Sequence, residues 1–79
     1  MEHSFVLICY YAGMQIVRME TQTSMLSETF TDIKQKLKNG ELSVTFGAGQ
    51  TSVVTEVCVD VYEKMSGKYR HDLSLSFKR

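Results

Sequence analysis

The sequence predicts an α+β fold: a single mainly antiparallel sheet with one helix packed on one face, in the order ββαβββ. Three observations predict it. Two strand-like regions, roughly residues 5–23 and 41–78, flank one segment whose large apolar side chains recur at helical spacing. Glycines fall between the candidate elements rather than inside them. Proline is absent throughout, as suits a chain spent mostly on regular elements with tight connections.

The first strand is Phe5 to Tyr11, in the run Ser4-Phe5-Val6-Leu7-Ile8-Cys9-Tyr10-Tyr11. A strand covered on one face only should alternate apolar and polar side chains, and this one has no polar residue at alternate positions after Ser4. Ala12-Gly13 is the expected turn, and Met14 to Thr23 the second strand. A two-residue turn sets Tyr11 opposite Met14, Ile8 opposite Val17 and Val6 opposite Met19. One face of the hairpin is then Val6, Ile8, Val17 and Met19, expected to meet the helix. The other is Phe5, Leu7, Cys9, Tyr11, Met14 and Ile16, expected to be the outer face.

The helix follows. Leu26, Phe30, Ile33 and Leu37 lie at i, i+4, i+7 and i+11, one stripe of a 3.6-residue period. Ser24 or Ser27 is placed to cap its first turn. Glu28 and Asp32 sit toward the positive end of the helix dipole, and Lys34, Lys36 and Lys38 toward the negative end. Asp32 and Lys36 form an i, i+4 pair. Asn39-Gly40 ends the helix, with Gly40 suited to the left-handed position beyond the last turn.

The third strand is Glu41 to Phe46, with Leu42, Val44 and Phe46 inward, and residues 47–50 form a loop. A long fourth strand runs from about Ser52 to Met65, with Val53, Thr55, Val57, Val59 and Val61 on the inward face and Val54, Glu56, Cys58, Asp60 and Tyr62 on the outward one. The fifth runs from Tyr69 to Lys78 and alternates cleanly: Tyr69, His71, Leu73, Leu75 and Phe77 against Arg70, Asp72, Ser74, Ser76 and Lys78. The odd-numbered loop Ser66-Gly67-Lys68 sets Val61 opposite Leu73, Val59 opposite Leu75, Val57 opposite Phe77 and Glu56 opposite Lys78. The expected core joins the helix stripe to Val6, Ile8, Val17, Met19, Leu42, Val44, Phe46, Val57, Val59, Val61, Leu73, Leu75 and Phe77. The element order resembles the β-grasp arrangement of ubiquitin-like domains in order alone; no residue motif accompanies it, and no function is carried over.

At 79 residues the chain reads as one domain, 1–79, with 43% hydrophobic content typical of a globular fold. Nine basic and nine acidic residues cancel, so no global field draws it to nucleic acid or an anionic membrane. The acidic start Met1-Glu2-His3 is unlike a signal peptide, and the apolar run from Phe5 is too short to span a bilayer. A cytoplasmic protein with reduced thiols is expected, and whether Cys9 and Cys58 pair depends on strand order.

No catalytic constellation is written in the chain. His71 is expected to face Glu63, a pairing that a satisfied core histidine explains. Glu56 and Asp60 share a strand face with Cys58 between them, too few ligands for a metal. Residues 47–52 are glycine-rich, but no helix follows directly to cradle a phosphate. No enzyme, cofactor or metal is therefore expected. What calls for explanation is the apolar outer face, whose residues Phe5, Leu7, Tyr11, Met14, Ile16 and Tyr62 are the candidate partner-binding set. The reading is a non-enzymatic protein-protein interaction module that binds a protein partner or forms a homodimer. Small inhibitors, immunity proteins and virus-encoded anti-host proteins share this size and lack of catalytic groups. The alternative is a small nucleic-acid-binding domain using Lys34, Lys36, Lys38, Lys68, Arg70 and Lys78. It is disfavoured because no base interleaves with the aromatics on the first and fourth strands.

Overall fold

Ala12 and Gly13 both take positive φ, 50° and 77°, the conformation of a type I′ turn. That turn joins β1 (Ser4–Tyr11) to β2 (Met14–Gln22) with the right-handed twist a two-residue hairpin needs. An alanine in this region is strained, whereas asparagine tolerates it. Ala12→Asn is therefore expected to stabilise the fold by about 0.5–1 kcal/mol, read as a higher urea midpoint. An unchanged or lower midpoint would contradict the turn assignment.

The computed structural model describes residues 2–79; Met1 lies outside the described residues. After β2 comes a 3₁₀ turn, Thr23–Met25, and then α1 (Leu26–Lys38). No serine caps this start; instead the backbone N–H of Ser24 donates to Glu2 Oε1 at 2.9 Å. The carboxylate serves one donor in the 3₁₀ turn that precedes α1, a different N–H from those that a capping Ser24 or Ser27 side chain would serve. At the other end Glu41 N–H donates to Lys36 O and Gly40 N–H to Leu37 O, a Schellman motif with Gly40 at φ 72°. The Asp32–Lys36 ion pair forms at 3.2 Å.

The remaining strands are β3 (Ser43–Thr45), β4 (Thr51–Val53), β5 (Glu56–Glu63) and β6 (Leu75–Lys78). Strand order is β2-β1-β5-β6 in the main sheet, all antiparallel, and β3-β4 form a separate two-stranded ribbon. The fold is thus α+β, a mainly antiparallel sheet with one helix. The expected long fourth strand is broken at Val54-Thr55, where Val54 turns inward and donates its N–H to Leu42 O. This tucks Leu42, Val44 and Val54 into the core beneath the helix residues Ile33 and Leu37.

The hairpin register differs from expectation. Tyr11 faces Met14 as predicted, but the ladder shifts between Cys9 and Tyr10, leaving Ile16 as an extra residue. Beyond this bulge Leu7 faces Met19, Ile8 faces Arg18 and Val6 faces Glu20. One inserted residue exchanges the faces of everything past it. Phe5, Leu7 and Cys9 therefore join the helix-covered core, 4%, 0% and 0% exposed, alongside Val57, Val59 and Val61. Val6 and Ile8, expected in that core, lie on the opposite face and are half-buried. Phe46 and Leu75, also expected inside, are 43% and 47% exposed.

On the β5–β6 side, Val57–Phe77, Val59–Leu75 and Glu56–Lys78 pair as expected. The ladder stops short of Leu73. Tyr69 still bridges Tyr62, but residues 70–74 leave the sheet in a turn closed by Ser74 N–H and Oγ on Arg70 O. The Ser74 hydroxyl accepts the Val61 N–H at 3.0 Å, replacing the missing ladder bond. His71 is consequently exposed in this turn and does not join an inner row facing Glu63.

Candidate functional site

Two surfaces emerge. The first is the sheet face opposite the helix. Alternation places Val6, Ile8 and Tyr10 of β1 there beside Cys58, Asp60 and Tyr62 of β5. Tyr69 lies across from Tyr62, with ring centroids 5.3 Å apart, and its hydroxyl reaches Asp60 Oδ1 at 3.5 Å. Desolvation first, then the nearby Asp60 and the other two tyrosines, raises the Tyr62 phenol above its ordinary pKa. Among the described residues no element packs over this face.

Charges frame the patch in both signs. Glu20 on β2 accepts from Lys64 at 2.7 Å and from Arg18 at 2.9 Å, holding its carboxyl below its ordinary pKa of 4.5. A carboxylate with a depressed pKa stabilises the fold above that value and loses the contribution as the pH falls below it. Glu56 on β5 and Lys78 on β6 complete the rim, and Asp60 lies within the face, opposite Ile8.

The second surface is a groove of about 480 Å³ on the helix side, between α1 and β6. Leu26 and Phe30 of the helix and Leu73, Leu75 and Phe77 line it, with Phe30 and Phe77 edge-to-face at 6.1 Å. Lys34 and Asp72 stand at its rim. Asp72 is already bound by Arg70 in a two-bond fork, 2.9 and 2.7 Å, which lowers its pKa; Arg70 also lies over the Phe5 ring at 5.9 Å.

Of the residues expected to bind a partner, only Tyr62 lies on the bare face. Phe5 and Leu7 are core, and Tyr11, Met14 and Ile16 pack against that core. The hairpin bulge is the reason. Val6, Ile8, Tyr10 and Tyr69 are the residues the sequence reading missed. The alternation of Arg18, Glu20 and Gln22 marks the outer side of β2, but which β1 residues share that side depends on the bulge at Ile16, so no signal in the sequence located them. The bases expected for nucleic acid are dispersed. Lys34, Lys36 and Lys38 ride on α1, Lys68 sits beyond the hairpin tip, Arg70 is engaged by Asp72, and Lys78 lies on the outer face of β6.

Cys9 and Cys58 project to opposite faces and are both free thiols, the first buried and the second exposed. Burial pushes the Cys9 thiol from 9.0 up to about 11, against a smaller pull from Lys36. Iodoacetamide is expected to modify Cys58 alone in the folded protein and both thiols after unfolding, as read by peptide mass spectrometry. Because the folded pKa of Cys9 is the raised one, its contribution to stability is whole below pH 9.0 and lost as the pH climbs toward about 11. Cys9→Ala should flatten that part of the alkaline decline. Modification of Cys9 in the native state would contradict its placement.

Among the described residues no group of three His, Cys, Asp or Glu side chains is placed to hold a metal ion, and no helix is long and apolar enough to cross a membrane. Searches against protein-family models, curated proteins and solved structures find no match for this chain.

Proposed function

We propose that this protein is a non-enzymatic interaction module that binds another protein surface through the bare face of its sheet. One observation carries the reading: Val6, Ile8, Tyr10 and Tyr62 form a half-buried apolar, aromatic centre on the sheet face turned away from the helix, outside the core. Aromatic residues with a polar rim are the composition of interface centres. The face balances Arg18, Lys64 and Lys78 at its rim against Glu20 and Glu56 there and Asp60 opposite Ile8, which suits a protein surface better than a polyanion. The small inhibitors, immunity proteins and virus-encoded antagonists of host machinery are the functional class this proposal names. A reducing, cytoplasmic setting belongs to it, since Cys9 and Cys58 face away from each other.

A column bearing the wild-type protein is expected to retain a stoichiometric protein partner from the cells of origin. Light scattering at micromolar concentration reads the case in which that partner is a second copy. Ile8→Glu, at the centre of the face, should abolish retention or self-association while keeping the helix signal in circular dichroism. Met65→Glu, at a residue 92% exposed and off the face, should not. Undiminished association by Ile8→Glu, or none by the wild type, would remove this reading.

A further inference from the structure

The second surface carries an inference independent of the first: we propose that β6 and the groove beside it form a strand-addition site for an extended segment of another protein, apolar at alternate residues and acidic between them. Backbone parity is the first argument. Arg79 N–H donates to Thr55 O, and residues 75, 77 and 79 stand opposite 59, 57 and 55. In an antiparallel ladder a residue turns its N–H and C=O to the same side. Ser76 and Lys78 therefore turn theirs away from β5, toward the open edge of the sheet.

The two edges of the sheet are not equivalent. The β2 edge is long but interrupted by the bulge at Ile16 and carries the Arg18–Glu20 ion pair, features that discourage pairing. The β6 edge has neither a bulge nor a proline, and it borders the apolar groove directly. A strand laid along β6 would bond to Ser76 and Lys78 and drop every second side chain between α1 and the sheet. Main-chain bonds with alternate side chains in pockets are how strand addition combines affinity with specificity.

Charge selects the occupant. Lys34 in the groove lining and Arg79, which shares the parity of Leu75 and Phe77, have no ion-pair partner among the described residues, and Asp72 is neutralised by Arg70 at 2.7 Å, while Lys78 on the outer face of β6 would meet the alternate side chains that an added strand turns away from the groove. The groove therefore presents unbalanced positive charge. A second copy pairing through its own β6 would bring Ser76, Lys78 and Arg79 and no acid, so an acidic segment fits where another copy of this chain does not.

The test is a fluorescein-labelled eight-residue peptide alternating Val and Glu, titrated by anisotropy, with ¹⁵N–¹H shifts read on the full protein. The peptide should bind saturably below about 1 mM and move the Ser76 and Lys78 amides. A Val-Lys version, and a version N-methylated on alternate amides, should each bind at least about tenfold more weakly. Ser76→Pro removes an outward N–H without touching the β5 ladder, and Leu75→Glu charges an exposed groove residue; either should weaken binding by about tenfold or more. Ile8→Glu, on the other face, should bind as the wild type does, so the two proposals fail separately. Absence of binding at about 1 mM, equal binding of the Val-Lys peptide, or shifts confined to Val6, Ile8 and Tyr10 would each overturn the strand-addition site.

Discussion

Leu7→Ala is expected to remove about 2–5 kcal/mol of folding stability, measured by urea denaturation followed in the far ultraviolet. Leu7 is 0% exposed, lies on a central strand, and faces Met19 on one side and Val61 on the other. A domain of this length holds on the order of 4–12 kcal/mol in total, so this one truncation takes a large share. Its neighbour Ile8 is the internal control. It is half-buried on the face with no covering element, and Ile8→Ala should cost about 1–2 kcal/mol. The difference between adjacent residues tests the face assignment that the bulge reversed. Equal losses, or a larger loss at Ile8, would show that the hairpin runs in the unbulged register.

Ile33→Ala is expected to cost a comparable amount, about 2–5 kcal/mol, through the docking of the helix. Only Ile33 and Leu37 of α1 are fully buried, each 1% exposed, while Leu26 and Phe30 sit at the open groove. A 13-residue helix is marginal by itself in water and depends on this contact. The loss should appear as a lower urea midpoint together with an earlier decline of the 222 nm signal. Ile33→Val, which removes one methylene, should cost about 0.5–1.5 kcal/mol and calibrates the cavity. A negligible effect of Ile33→Ala would mean that the helix is held at the groove instead, by Leu26 and Phe30.

Among the features legible from residues in a row, the serine cap of the helix does not form, whereas other local signals match the structure. The helix span, its Gly40 terminus and the Asp32–Lys36 pair follow from spacings of three to five residues. The Val57–Phe77 and Val59–Leu75 pairings follow from two alternating segments, although the chain between them leaves the sheet at residues 70–74. The candidate site fared differently. Tyr62 was placed on the right face, whereas Phe5 and Leu7 were placed on the wrong one by a single extra residue at Ile16. A run apolar at every position carries no phase of its own, so nothing in 5–11 contradicted the error.

The sequence by itself determined the helix and the first two strands, because side-chain periodicity is a property of neighbours along the chain, but not that residues 54–55 and 70–74 leave the sheet. Only the tertiary structure decided which face of β1 the helix covers, that β1 lies between β2 and β5, and that a groove opens beside β6. Those depend on register and strand order. They are settled where Phe5, Leu7 and Cys9 meet Val59 and Val61 fifty or more residues later in the chain, and burial there outweighs the preference of any local turn.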